Sequence, residues 1–418
     1  MAAHSTLIAP GMINSYSLKL HRCVLLFALL SSLAIDCLTA GNFCASASAV
    51  DSADQNKARA AIALAEPILQ GAKNEADNHV LQNIVNLSGQ LITRHPDDPE
   101  WYVLRARALL ALKPAKVTDA FADLNRAVKL KPDYTFALLI RGKAWMQSGR
   151  SDAAIEEWTV AVDKFEAFDC AFALGDYYFK RNADQQAICW FDRAAALDPT
   201  MSAPQYMKGI CCRRMLEDTK AIAALTKAIA LNAKFPTAEN RKNLAASAEA
   251  RGNLYMTVDK YEAAIADLSK ALALNPNLWD AHRSRAKCYL KLHKDQNGLA
   301  DFTTLLKSHP NPQVSVERAR LYERAGQYDL AIQDCTTAIN SGDKSVASYQ
   351  VRANSYRAQK KFALALADIE KAIKLDDYTS TSLALKAEIL AAMGDKVGAD
   401  KVRKEAKELD TDLGPGKR

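Results

Sequence analysis

Glycine is scarce in this chain, 16 of 418 residues, and none of it builds a phosphate-cradling loop. Neither GxxxxGK followed by Ser or Thr nor GxGxxG occurs, and HExxH, GxSxG and the calcium-loop pattern are missing too. Histidine is sparse at 7 residues, and none of the 9 cysteines forms a CxxC, which argues against thiol–disulfide catalysis and zinc ribbons. A nucleophile needs a base beside it and a third group to orient that base. His79, His95, His282, His293 and His309 offer no such set. His282, Cys288 and His293 invite a metal reading, but on one helix Cys288 points far from both histidines at 3.6 residues per turn. Catalysis, cofactors and metals are therefore not expected. No run of Lys or Arg interleaves with aromatics, so the net charge of +7 does not imply nucleic acid. With 49% hydrophobic and 25% charged residues, disorder is excluded outside the ends.

Long apolar runs are also lacking, with one exception. Lys19 and Arg22 precede Cys23–Ile35, and Asp36 and the small residues Ala45-Ser46-Ala47-Ser48-Ala49 follow. This is the layout of a secretory signal over residues 1–49, with an A-x-A cut after Ala49. The run falls short of the roughly 20 residues that span a bilayer. The expectation is export to a periplasmic or extracellular space with no stable span after cleavage; tethering by an uncleaved signal is the alternative. Asp36 and Phe43 precede Cys37 and Cys44, so the lipoprotein pattern is missing.

What is present is a repeat. Gly142, Gly175, Gly209, Gly252, Ala286, Ala319, Ala353 and Ala387 recur at steps close to 34 residues, one step being 43. Three residues after each stands Trp145, Tyr178, Cys212, Tyr255, Tyr289, Tyr322, Tyr356 or Leu390. Twelve after comes Ala154, Ala187, Ala221, Ala264, Gly298, Ala331, Ala365 or Ala399, and seven further on is another alanine or Leu305. Small residues on two short helices let the axes approach closely, while the aromatic fills the space beside them. Pro132, Pro199, Pro276 and Pro310, or Asp343 and Asp377, stop each unit. A coiled coil is excluded because glycine and proline interrupt every helix after a few turns.

This pattern resembles the tetratricopeptide repeat, over about three quarters of the chain. The resemblance implies an all-α, right-handed superhelical solenoid of about eight to nine helix–turn–helix units with a concave groove. Residues 50–97 read as a degenerate helical cap, from the amphipathic stretches Asp54–Gln70 and Asn78–Thr93. The array runs over 98–408, and 409–418 is a flexible tail. In the first clear unit Lys113-Pro114 breaks the pair and Thr118 is the expected cap of the second helix. The long step places an insertion near 232–243, where Pro236-Thr237 suggests that a first helix begins early. The polar stretch Asp395–Leu409 reads as the solvating last helix. Cys189, Cys212 and Cys335 fall where the repeat has core residues, so burial is expected; a bridge between Cys189 and Cys212 is the alternative.

In families of this kind, the position after the small residue on each first helix, with those four before and after it, lines the groove. In the C-terminal half these positions bring Arg283, Lys287, Arg320, Asn354 and Arg357 together, with Lys291 and Arg324 near them. A basic groove suits acidic or carboxylate-ended peptide segments. The other reading pairs these charges with Glu317, Glu323 and Asp280 on a solvated face. The resemblance implies a non-catalytic protein–protein interaction scaffold in the cell envelope or outside the cell. The alternative is an adaptor or specificity subunit of an envelope enzyme or transport complex.

Overall fold

The structure, a computed structural model, describes residues 66, 68–69, 74–234, 237–375 and 380–412. The expected leader, the tail beyond 412, Asp377 and most of Asp54–Gln70 lie outside the described residues. Among the described residues there are nineteen α-helices and no strand. The chain divides into two compact units, Met1–Pro199 and Thr200–Arg418.

The first unit opens with α1 (Glu75–Arg94) and continues in pairs: α2 (Pro99–Ala111) with α3 (Val117–Leu130), α4 (Thr135–Gln147) with α5 (Ser151–Phe165), and α6 (Phe168–Lys180) with α7 (Asp184–Leu197). The second unit holds six pairs: α8 (Ala203–Arg214) with α9 (Asp218–Lys234), α10 (Ala238–Thr257) with α11 (Tyr261–Leu274), α12 (Trp279–Lys291) with α13 (Asp295–Ser308), α14 (Pro312–Arg324) with α15 (Tyr328–Asn340), α16 (Val346–Ala358) with α17 (Phe362–Leu375), and α18 (Ser380–Ala392) with α19 (Lys396–Asp412). Within each unit every helix packs on the next in sequence, and first helices also meet the first helix of the following pair. This is the all-α, helix-pair architecture of a solenoid.

Local signals set the boundaries. Asp98 caps α2 by accepting from the Glu100 N–H at 2.9 Å, with Pro99 in the first turn. Asn311 and Pro312 do the same for α14. In every pair but α2–α3 the chain turns through one left-handed residue, glycine at 149, 326 and 394 but Asn182, Leu216, Asp259, His293 or Lys360 elsewhere. The long step resolves as expected in one respect: Thr237 accepts from the Asn240 N–H at 3.1 Å and starts the 20-residue α10. Two expectations are corrected. Thr118 does not cap α3, which begins at Val117 after Lys116 with no side-chain cap. Cys189 is exposed, because it sits two residues past buried Ala187 and faces outward from α7. All six described cysteines are free thiols.

The core is built from size complementarity across each pair. A Cβ on Gly142 would stand 2.0 Å from the Trp158 indole nitrogen, and one on Gly175 2.5 Å from the Phe191 ring. Gly209 and Gly252 face Leu225 and Leu268 in the same way. Where the first helix carries alanine the fit varies: Cys335 faces Ala319 and Ile369 faces Ala353, each sixteen residues on, and Gly298 of a second helix lies close to the Ala286 carbonyl. Every one of these large partners is buried.

A second layer of order is electrostatic. The residue before the small position is arginine in six of the pairs, and it forks onto a carboxylate of its own second helix. Arg285 donates to Asp301 at 2.8 and 2.6 Å, Arg318 to Asp334 at 2.8 and 2.7 Å, and Arg352 to Asp368 at 2.7 and 2.7 Å. Arg251 and Asp267, Arg105 and Asp123, and Arg141 and Glu157 repeat the pairing. The remaining amino group reaches back to the preceding second helix, at Ser269 from Arg285, Thr303 from Arg318 and Thr336 from Arg352. One arginine thus ties three helices together.

Candidate binding groove

The five residues expected in the groove lie in the second unit on consecutive first helices: Arg283 and Lys287 on α12, Arg320 on α14, Asn354 and Arg357 on α16. Their neighbours make this face a lattice of alternating charge. Arg283 donates to both oxygens of Glu317 on α14, Nε at 3.1 Å and a terminal nitrogen at 2.8 Å, and Lys287 reaches the same carboxylate at 3.3 Å. Burial alone would raise the Glu317 pKa, but the hydrogen bonds and charge of Arg283 and Lys287 outweigh it and hold this carboxyl below its ordinary value.

The next step of the lattice is weaker. Glu323 on α14 accepts from the Asn354 amide, and its pKa is raised, with burial the largest cause and Asn354, Arg320 and Arg357 opposing it. Arg357 donates to the Asn354 oxygen at 3.0 and 2.8 Å and lies 3.4 Å from Glu388 on α18. Arg320 is exposed and acts on Glu323 through charge. Toward α10 the face turns acidic: burial first, then Asp280, raises the Glu249 pKa. Glu317, Glu323 and Glu388 thus share this face with the cations. These contacts match the reading of the sequence that pairs the charges with Glu317 and Glu323; the Arg357–Glu388 contact is not part of it, and among the described residues Arg320 makes no direct carboxylate contact.

The chemistry available here is polar recognition. Cys170, Cys288 and Cys335 are buried, and burial is the largest cause that pushes their thiols up to about 12, 11 and 12. Almost no thiolate is available at neutral pH. His282, Cys288 and His293 do not converge: His282 is buried and bonded through Nδ1 to Asp301 at 2.9 Å, while His293 is exposed in a turn. Among the described residues no group of three or more metal-ligating side chains comes together, and no helix is long and apolar enough to cross a membrane.

Matches to family models agree with this architecture. Family models described as tetratricopeptide repeat match residues 139–202 and 296–345, and a further one 346–378; a model described as TPR repeat matches 252–292. The chain is similar to anaphase-promoting complex subunit 3 of Schizosaccharomyces pombe, 21% identical over 52% of this chain and 31% of that protein. It is also similar to DnaJ homolog subfamily C member 3 of Gallus gallus, 23% identical over 53% of this chain and 39% of that protein. The chain therefore spans 31% and 39% of the length of these two curated relatives. Among solved structures it resembles a tetratricopeptide repeat protein from Parabacteroides merdae, with 22% identity, 58% of this chain and 93% of that chain covered, and a TM-score of 0.41. It also resembles the C-terminal part of a TPR repeat-containing protein from Cytophaga hutchinsonii, with 19% identity, 57% and 95% covered, and a TM-score of 0.48.

Proposed function

We propose, from the premise that this chain is a tetratricopeptide-repeat protein, that it is a non-catalytic scaffold whose second unit holds an extended partner segment along its first helices. The observation that carries this reading is the run of polar contacts between adjacent first helices: the charged pairs of α12 with α14 and of α16 with α18, and the Asn354–Glu323 hydrogen bond between α14 and α16. A lattice of this kind binds by exchange. An incoming carboxylate takes Arg283, Lys287 or Arg357 from its glutamate, and an incoming amide or ammonium takes the glutamate. Arg320, exposed and without a direct carboxylate contact, is the group best placed to meet a partner carboxylate first. The partner is accordingly an acidic or carboxylate-ended peptide segment. Export, from the leader over residues 1–49, would place the encounter in the periplasm or outside the cell.

The test is capture from an envelope extract by the full chain beside an Arg320→Glu form, with cross-linking. A partner held by the first and lost by the second supports the groove. A partner held equally by both means that the lattice is a solvated face. Turnover of substrate by the purified chain alone would overturn the scaffold reading altogether.

A further inference from the structure

First helices of the second unit lie side by side, so the turns that leave them share one edge. A cleft shows this directly: it is lined by Met256, Asp259 and Tyr261 from the α10–α11 turn, Lys287 and Lys291 from α12, and Arg324 from α14. The edge is basic. Arg213 and Arg214 end α8, Lys291 and Lys294 flank the α12–α13 turn, and Lys360 and Lys361 form the α16–α17 turn. Of the carboxylates there, Glu217 is engaged by Lys220 at 2.9 Å, Asp259 by the Tyr261 hydroxyl and Asp295 by Arg324 at 3.3 Å, while Asp218 and Asp395 offset part of the positive charge. The connections on the other edge read Asn275-Pro276-Asn277, His309-Pro310-Asn311 and Ser341-Gly342-Asp343-Lys344, with one lysine beside one aspartate.

Leu216 stands out on the basic edge. It occupies the left-handed turn position, φ 60°, where the other turns of this unit place Asp259, His293, Gly326, Lys360 or Gly394. A leucine is disfavoured in that conformation. Among the described residues nothing compensates, since the side chain is 86% exposed and the preceding Met215 is exposed too. Strain of this kind, kept without an internal contact, points to an external one. The local sequence Arg213-Arg214-Met215-Leu216 puts two guanidinium groups directly before two protruding apolar side chains. Val397, at the start of α19 on the same edge, is 84% exposed.

We propose that this edge of the second unit docks on a lipid bilayer rich in anionic headgroups. Met215 and Leu216 enter the headgroup–acyl boundary, and the basic turns pair with headgroup phosphates. The cleft between Lys287, Lys291 and Arg324, with Met256 and Leu290 lining it, receives one of those phosphates. The Met215–Leu216 tip and the α8–α9 and α16–α17 turns hold none of the groove residues, while the cleft shares Lys287 with the groove, so a phosphate there and a partner carboxylate compete for that lysine. An acidic protein would use the same cations, but it would leave the exposed apolar tip unexplained.

The experiment is cosedimentation of the full chain with vesicles of phosphatidylcholine alone and of phosphatidylcholine with phosphatidylglycerol. The mixed vesicles are expected to retain the chain and the neutral ones to leave it in solution, with retention falling as salt rises. Leu216→Asp, and separately the double change Lys291→Glu with Lys294→Glu, each weaken retention about tenfold or more while the melting curve stays unchanged, since all three side chains are exposed. Failure of the unaltered chain to bind mixed vesicles overturns the proposal, as does equal retention of Leu216→Asp. Retention on immobilised polyglutamate with none on vesicles assigns the edge to an acidic protein and equally overturns it.

Discussion

At the scale of single residues, the fold depends on which side of each helix pair gives way. Gly142 has no room for a methyl group against Trp158, whose indole N–H donates to the Leu139 carbonyl at 3.2 Å in the core. Gly142→Ala is expected to cost about 3 kcal/mol, read as a fall in the denaturant midpoint at unchanged slope. Such positions were legible: the small residue, the aromatic three later and the alanine twelve later were read from spacing alone. Orientation within the second helix was less so. Cys189 has the composition of a core residue, but one step along a helix turns a side chain by about 100°, and two steps carry it from the buried stripe to solvent. Of the six described cysteines only Cys189 is exposed, so a brief maleimide pulse on the native chain should label Cys189 and leave the other five unmodified, as mass spectrometry of the digest would show.

At the scale of elements, the arginine fork is what the helical pattern left unread. It is present in the sequence as an arginine just before the small residue and an aspartate sixteen later, but periodicity directs attention to apolar faces, and these residues are charged. Asp301 shows what the fork does. It accepts from Arg285 and from His282, is almost fully buried, and has its pKa lowered: burial, the largest cause, would raise it, but the Arg285 and His282 bonds outweigh that. Asp301→Ala leaves Arg285 without its partner and is expected to cost about 2–3 kcal/mol. The pH dependence follows from the direction of the shift. A carboxyl whose folded pKa lies below its ordinary 3.8 contributes stability that is complete above that value and is lost as pH falls through the folded value. Stability of the second unit should therefore drop on acidification below about pH 4, and Asp301→Asn should flatten that drop. An unchanged acid slope in the variant would refute the assignment. The charged face was partly legible: spacing put Arg283, Lys287, Arg320, Asn354 and Arg357 on successive first helices and offered Glu317 and Glu323 as counter-charges, while the Arg357–Glu388 contact was not read.

At the scale of the whole molecule, the fork is interrupted where the chain divides. Leu174 on α6 and Lys208 on α8 stand where six other pairs place arginine (Lys386 does so on α18), and the two units meet in sequence at Pro199–Thr200. Stability in a helix-pair array is a sum of nearest-neighbour terms, so a loss in one unit need not spread to the other. Hydrogen exchange on Asp301→Ala should show faster exchange across α12–α15 with protection of α2–α5 retained; uniform loss across both units would show a single cooperative array instead. The central claim is that the first helices of the second unit recognise a carboxylate-bearing segment, and panning a random peptide library on the full chain tests it most directly. Acidic or carboxylate-ended peptides should be enriched, and their affinity should fall about tenfold on Arg320→Glu, the loss of one charge contact, at an unchanged melting temperature. Peptides that show no acidic bias and bind Arg320→Glu as well as the unaltered chain would contradict it.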